Sequence, residues 1–475
     1  MGNRLRKGIL GIDFGTSKIA MVLIDPETKE VLNSYSQKTN AYIHLNDQHK
    51  REQDIGKIYD VFFTGIAEIV ENVELEILSI GLTGQMHGIV GLDAEGNPAT
   101  NCVTWQDERG DLYIPSCKTL LEEMEEKGGE KPIASGYGIV TLYDWIVKNP
   151  VQTIEKICTP PDYFGMYLTG NKYPIMDYSM AHSIGVFDIE SVSWDFGYIS
   201  NLGIGKRYFP YVVPLTTVLG VLKDENLLSL LRKKDIPVSV SIGDNQASFI
   251  GSVKEYLDAI LINIGTGSQI SFVIKNLDEI KGVLDINRYD VDVRPFVNNT
   301  YLVSGSALSG GCVYDTLKGF FTEAGKGLFG VTNSNNIWNN MEKLASREEN
   351  TGGLTVYPLF AGKRSDPGAR GRIEGLSDTN FTPSKLIYGT LEGMAEILKD
   401  MVNDKIIKEK SYLVGSGNGL RKNSVLRRVI SKVFQEEIRV PLFEEEAALG
   451  AALNGAVACG IIKSFAEACK VIKYI

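Results

Sequence analysis

The sequence predicts an α/β protein of two domains that repeat one plan, and three observations carry that prediction. The stretch "ILGIDFGTSKIAMVLI" at 9–24 runs apolar strand, Gly-Thr turn, apolar strand, and "ILINIGTGSQISFVI" at 260–274 runs the same way. Strand-like and helix-like segments alternate behind the first copy and again in the tail. The length, 475 residues, suits two or three domains. Two similar α/β domains facing each other would frame a cleft, a common setting for a ligand site.

Taken in order, residues 9–14 and 19–24 read as strands joined by Gly15-Thr16-Ser17, and "DPET" turns the chain again. Residues 52–73 set Ile55, Ile58, Tyr59, Phe62, Ile66, Ile69 and Val70 at helical spacing. "ILSIGLTGQ" and "GIVGLD" read as further strands, the second closed by the turn "AEGNP". Hairpins mixed with a crossover helix predict a mixed sheet. The stretch from about 106 to 235 is helix-rich, with aromatic loops, and reads as an insertion on the first core. After 260–274 the tail returns to strand ("SYLVGSG"), helix (about 424–433), strand ("EIRV") and helix ("EEAALGAALNGAVACG"). The expected domains are 1–245 and 246–475, with a hinge near 240–255. The small residues of "EEEAALGAALNGA" at 444–456 predict close helix packing.

The composition narrows the function classes. A net charge of −10 argues against a broad nucleic-acid-binding face or an anionic membrane partner. The apolar run before Asp13 is too short for a signal peptide, and no run is long enough to cross a bilayer. Six scattered cysteines without a C-x-x-C pair read as reduced thiols, and four histidines without H-E-x-x-H give no zinc site. A cytoplasmic protein is expected.

Asp13 is the first chemical clue, because a charge inside an apolar strand is costly unless it has a task. The turn behind it suggests the task. Glycine lets backbone N–H groups approach an oxyanion closely, and the hydroxyls add donors. No G-x-x-x-x-G-K-[ST] is present, so this is not a P-loop. A carboxylate beside such a turn suits Mg²⁺ held with its waters against a nucleotide. Elsewhere, Gly243-Asp244-Asn245 reads either as a turn or as a carboxylate placed for proton transfer. Met86-His87 follows the strand "LSIGLTG"; the imidazole is either a structural group or one that donates to one hydroxyl and accepts from another.

In chain order, "DFGTS" (13–17), "TGQMHG" (83–88), "TWQDERG" (104–110), "GDNQAS" (243–248), "NIGTGS" (263–268), "DPGARGRIEGL" (366–376) and "GSGNGLRKN" (415–423) resemble the motifs of the FGGY carbohydrate kinases. The resemblance covers about residues 8 to 460. It implies two duplicated ribonuclease H-like domains of the actin, hsp70 and sugar kinase superfamily, with a cleft between them. It also implies phosphoryl transfer from ATP, with Mg²⁺, to a small-molecule sugar. Asp244 is then the catalytic base. Met86, His87, Gln106, Asp107, Arg109 and Gln246 bind the sugar, and Asp13 serves the metal. Thr16, Gly265, Thr266 and Gly267 meet phosphates, while Gly310, Gly311, Gly415, Ser416, Gly417 and Asn423 surround the nucleoside. A glycine pair such as Gly310-Gly311 is equally a sign of a helix cap or close packing. The loop "FAGKRSDPGARG" carries Lys363, Arg364 and Arg370, but in the family it is structural. A homodimer is compatible with this reading.

Within the family, "TWQDERG" and "YPIMDYSMAHSIGVFDIESVSWD" at 173–195 are most similar to the sedoheptulokinase branch. That implies transfer to the primary hydroxyl giving sedoheptulose 7-phosphate, with xylulose as the alternative sugar. The helix around Trp145 departs from the family, with Thr141-Leu142 in place of the usual Lys-Leu. A nucleotide-driven chaperone or filament protein shares such a core. That reading leaves Met86-His87, Asp107 and Asp244 without a role.

Overall fold

The computed structural model describes residues 6–71, 75–150, 153–231, 233–281, 291–331, 336–363, 366 and 368–475. Two compact units result. One holds Met1–Gly251, Pro295–Asn299 and Glu445–Val471, and the other Ser252–Arg294, Thr300–Glu444 and Ile472–Ile475.

In the first unit, β1 (Arg6–Phe14), β2 (Lys18–Asp25) and β3 (Glu30–Lys38) form an antiparallel meander. β4 (Leu75–Gly84) pairs parallel with β1, and β6 (Pro237–Gly243) parallel with β4. β5 (Val218–Val221) closes the edge antiparallel to β6, giving the order β5-β6-β4-β1-β2-β3. Residues on both faces of β1 and β2 are buried, which is why these strands read as near-continuous apolar runs.

Strand alternation sorts what covers each face. Leu10, Ile12 and Phe14 share a core with Phe62 of helix Ile55–Val70 and Phe164 of helix Pro160–Thr169. Phe14 and Phe164 stack at 4.4 Å. The first of these helices starts later than its apolar spacing suggests, because Asp54 caps it through the amides of Gly56 and Lys57. Gly11 and Asp13 point to the opposite face, where helix Glu446–Ala458 lies against bare backbone. A Cβ on Gly11 would sit 2.0 Å from the Ala448 carbonyl oxygen, and one on Gly81 1.8 Å from that of Ala451. The expected close packing of this helix is therefore real, and its partners are a sheet and a helix: Gly450 would meet Ala247 at 1.8 Å. Glu445–Val471 returns to the first unit after the long stretch Thr300–Glu444 of the second, a crossing with no local sequence signal.

The stretch expected as an insertion divides its side chains. Ile139, Tyr143, Met180 and Trp194 build a second core with Met86 and Val103, while Phe164 and β5 belong to the main sheet and its core.

The second unit contains β7 (Ala259–Ile264), β8 (Ser268–Ile274), β9 (Val291–Pro295), β10 (Tyr301–Ala307), β11 (Tyr412–Ser416) and β12 (Ile438–Arg439), in the order β9-β10-β8-β7-β11-β12. The hairpin β7-β8 matches β1-β2, and β11 lies parallel to β7 as β4 does to β1. Asn263 pairs with Gln269 and Ser416 just as Asp13 pairs with Ala20 and Thr83. The duplicated plan read from the sequence is present in the fold. Among the described residues no helix is long and apolar enough to cross a membrane.

Candidate active site

Three parallel strands of the first unit bring its motifs together at their carboxyl ends, the edge where open α/β sheets hold ligands. Phe14 stands beside Gly84, and Gly84 beside Gly243. Thr83 Oγ1 donates to the Ile242 carbonyl at 2.7 Å, fastening β4 to β6. Asp244 follows, half-buried, in the first turn of helix Asp244–Ser252. A Cβ on Gly243 would lie 2.4 Å from Gln246 Oε1 and 2.7 Å from Met86 Sδ, so those two side-chain ends would have to move aside for it. Gln246 is fully buried. Its Nε2 donates to the Pro295 carbonyl at 3.1 Å, while its Oε1 has no hydrogen-bond partner among the described residues.

His87 adopts φ 71°, a left-handed conformation rare for a residue with a side chain. Its amide donates to Ser183 Oγ at 3.0 Å, and its Nδ1 donates to the Ser183 carbonyl at 2.8 Å. With the proton on Nδ1, Nε2 is the nitrogen that can accept a hydrogen bond when the ring is neutral. The ring stacks on Tyr137 at 4.4 Å.

The "TWQDERG" side chains take separate tasks. Asp107 is buried and accepts four hydrogen bonds: from the amides of Arg51 and Arg109, and from Arg109 Nε and Nη2. Those bonds fill the lone-pair sites of a carboxylate. The Asp107 oxygens expected to bind the sugar are thus taken up by Arg109 and the Arg51 amide. Arg109 also bonds Glu52 and Asp144 at 3.1 Å each, so its guanidinium is a structural hub. Gln106 is exposed, and its Oε1 accepts from Tyr42 at 2.5 Å. Trp105 is exposed too, with Nε1 donating to Thr16 Oγ1 at 3.0 Å.

A chain of amides ties Thr16 to the sugar motif. Gln53 Nε2 donates to the Thr16 carbonyl at 2.5 Å, Gln85 Nε2 donates to Gln53 Oε1 at 3.0 Å, and the Gln85 amide donates to the Phe14 carbonyl. Neither glutamine stood out in the sequence. Gln53 lies in no motif, and Gln85 sits inside one without an evident task.

In the second unit the turn Gly265–Thr266–Gly267 is exposed between β7 and β8. Its carbonyls at Gly265 and Thr266 accept from the amides of Gly311 and Cys312, at the start of helix Gly311–Phe329. The helix end presses so close that a Cβ on Gly310 would lie 2.2 Å from the Gly267 carbonyl. Packing alone therefore demands glycine at 310. Gly417 has φ 84° and abuts the Ile264 carbonyl, which sets the "GSGNGLRKN" loop beside the same turn. Gly415 and Ser416 are buried in β11. Asn423 Oδ1 caps helix Ser424–Phe434 through the Leu426 amide at 2.9 Å. Of the three cations in the 360–371 loop, Arg364 lies outside the described residues.

Comparison with known proteins decides the family. The N-terminal domain of the FGGY family of carbohydrate kinases matches residues 8–251, and its C-terminal domain matches residues 262–459. The chain belongs to the FGGY family of carbohydrate kinases. It is an ATP-dependent sugar kinase. Among its relatives, xylulose kinase of Staphylococcus epidermidis is 26% identical over 98% of this chain and 90% of its own. Mouse (Mus musculus) sedoheptulokinase is 25% identical over 94% of this chain and 96% of its own. The crystal structure of gluconate kinase from Lactobacillus acidophilus aligns with a TM-score of 0.81, covering 99% of this chain and 93% of that one at 21% identity. That likeness speaks for the fold.

A kinase of this family calls for a divalent cation with its nucleotide, and the residues around Asp13 can be tested for it. Asp13 Oδ1 is buried with no hydrogen-bond partner among the described residues. Burial first, then the nearby carboxylates of Asp244 and Glu445, push its pKa up to about 7, against the pull of Lys18. Lys18 is held in turn by Glu445 at 2.6 Å, so its charge is largely spent. A carboxylate short of positive charge fits a cation. No cluster of three or more metal-ligating side chains exists among the described residues. The Lys18–Glu445 pair spans 427 residues of sequence, and no local pattern announces it.

Proposed function

We propose that this kinase phosphorylates the primary hydroxyl of a ketose, with sedoheptulose converted to sedoheptulose 7-phosphate, and that Asp244 is the base. The observation that carries the reading is the crowding of Asp244, Gln246 and Met86 around Gly243. There a fully buried amide oxygen waits for a donor. A buried acceptor without a partner calls for an explanation, and a sugar hydroxyl supplies one.

A sugar hydroxyl is a weak nucleophile until its proton has somewhere to go. Asp244 takes that proton as the oxygen attacks phosphorus, while Gln246 Oε1 accepts from a neighbouring hydroxyl. Met86 gives the sugar an apolar face, and His87, through Nε2, accepts from another hydroxyl. Asp107 and Arg109 act by holding the loop that carries Trp105 and Gln106. Thr16, Gly265, Thr266, Gly267, Gly310, Gly311 and the 415–423 loop are the groups we assign to the nucleotide. Asp13 would hold Mg²⁺, which when bound neutralises charge on the phosphates.

Xylulose kinase and sedoheptulokinase match the chain with near-equal identity, so overall similarity favours neither sugar. The choice of sedoheptulose rests on the 104–110 and 173–195 segments. An ADP-release screen over ketoses, aldoses and polyols tests the reading. Turnover with a ketose above all others is expected, and turnover confined to polyols or aldoses would overturn the substrate class.

A further inference from the structure

The segment Asp177–Ser183 carries none of the residues given a role in the chemistry, yet it grips one that has such a role, His87, and the residue next to another, Gly243 beside Asp244. Asp177 accepts from the amides of Ser179 and Met180 and so starts the helix Tyr178–Ser183. Ser179 Oγ donates its proton to the Asp177 carboxylate, at 2.9 and 2.8 Å from its two oxygens. Its lone pairs are then left for the Gly243 amide, which donates to it at 2.9 Å. Gly243 is the residue before Asp244. At the other end, Ser183 Oγ donates to the Met180 carbonyl at 2.7 Å and accepts from the His87 amide, while the Ser183 carbonyl accepts from His87 Nδ1. Asp177, Ser179 and Ser183 are all buried. Asp162 takes a hydrogen bond from Ser241, two residues before Gly243 on the same strand, so the end of β6 is held at two points.

We propose that the helix Tyr178–Ser183 is a positioning element: Ser179 holds the strand end that presents Asp244, Ser183 holds the turn that presents His87, and both are thereby fixed in one frame. The proposal rests on Asp244 being the base. Its physical content is distance. Proton transfer needs hydrogen-bond reach between base and hydroxyl, and the hydroxyl is placed in part by His87. A misplacement of about 1 Å can cost on the order of 10²-fold in rate. The left-handed backbone at His87 persists only where its surroundings hold it, and the two bonds from Ser183 do so.

The test is a kinetic cycle. Ser179→Ala, Asp244→Asn and the double variant are compared for kcat, for KM of sugar and ATP, and for thermal midpoint. Ser179→Ala should lower kcat about tenfold with KM for ATP unchanged, and should cost little further in the Asp244→Asn background, because the placement of a missing base no longer matters. Ser183→Ala should act mainly on the KM for sugar. A merely structural role predicts an equal loss in both backgrounds, and that result, or a kcat within twofold of the parent, would overturn the proposal. If Ser179→Ala does not fold, Ser179→Cys keeps the volume with a weaker acceptor and must show the same background dependence. Near-normal turnover by Asp244→Asn alone would remove the base assignment, and the proposal with it.

Discussion

Asp244 sits where a parallel strand turns into a helix, beside a buried amide that lacks a donor, and the two together set the first expectation. Asp244→Asn keeps the shape and removes the basicity, so kcat should fall about 10²- to 10⁴-fold with the KM for sugar little changed in steady-state assays. Asp13 lies on the strand of the first turn, and its unpartnered oxygen points to a cation. Asp13→Ala should shift the Mg²⁺ concentration for half-maximal rate upward, about tenfold or more, and leave sugar affinity alone. An unchanged titration would leave the metal role unsupported. A third expectation comes from Asp162, whose carboxyl burial pushes up to about 8, and from Asp177, pushed by burial up to about 7. For both, the native state holds a proton that the unfolded chain has already lost above about pH 4. Unfolded chains then bind fewer protons than native ones, and stability falls as pH rises through that window. Denaturant midpoints followed by tryptophan fluorescence should therefore decline from pH 5 to pH 8. Asp162→Asn should flatten the decline. A midpoint that rises with pH would contradict the burial of these neutral acids.

At the scale of elements, helix Glu446–Ala458 bears most on the site, because it packs backbone to backbone against β1, β4 and the helix that Asp244 begins. Gly450 meets Ala247 one turn from Asp244, and a Cβ there would lie 1.8 Å from a carbonyl oxygen. No rotamer relieves such a contact, so the two helices must separate. Gly450→Ala should cost about 1–3 kcal/mol of stability, the usual range for overpacking, and lower kcat as well. Gly319 is the contrast. It lies in helix Gly311–Phe329 with nothing within 4 Å of a Cβ, so Gly319→Ala should be neutral or stabilise by up to about 1 kcal/mol. Equal midpoints for the two variants in thermal melts would rule out the packing argument. Small residues at helical spacing made this packing legible in the sequence; its partners were not, since no local pattern says that residue 450 returns to residue 247. The same holds at finer grain. Apolar runs buried on both faces marked β1, β2, β7 and β8 clearly, whereas the short strands and turns of 106–235 lack a period and gave only "helix-rich with loops". Asp107 stood out as a motif carboxylate, but its saturation by Arg109 depends on a fold around the guanidinium that spacing does not reveal.

At the scale of the whole molecule, duplication supplies two hairpins with the same turn, and the sequence differs at the position that matters: Asp13 in one, Asn263 in the other. The first position carries a carboxyl group and the second a neutral amide, so the two hairpins offer a ligand different chemistry. On the function proposed above, sugar selection would fall to the "TWQDERG" and 173–195 segments. In these segments Arg109 braces the loop of Trp105 and Gln106, and Ser179 and Ser183 brace Gly243 and His87. Selection by such a site depends on rigid placement. On the proposed roles, a sugar of matching length would satisfy the buried acceptor at Gln246 and bring its terminal hydroxyl to Asp244 at once. A shorter ketose can do one or the other, and the group it leaves unpaired pays a desolvation cost larger than that of a missing methylene. On this argument kcat/KM for sedoheptulose should exceed that for D-xylulose by at least tenfold, about 1.4 kcal/mol in transition-state binding. Gln246→Ala supplies the control. Removing the buried acceptor should narrow the ratio between the two sugars by lowering sedoheptulose turnover more than xylulose turnover. Side-by-side kinetics of both proteins on both ketoses would decide the matter. A parent enzyme that prefers D-xylulose, or treats the two alike, would end the sedoheptulose assignment and leave the kinase assignment standing.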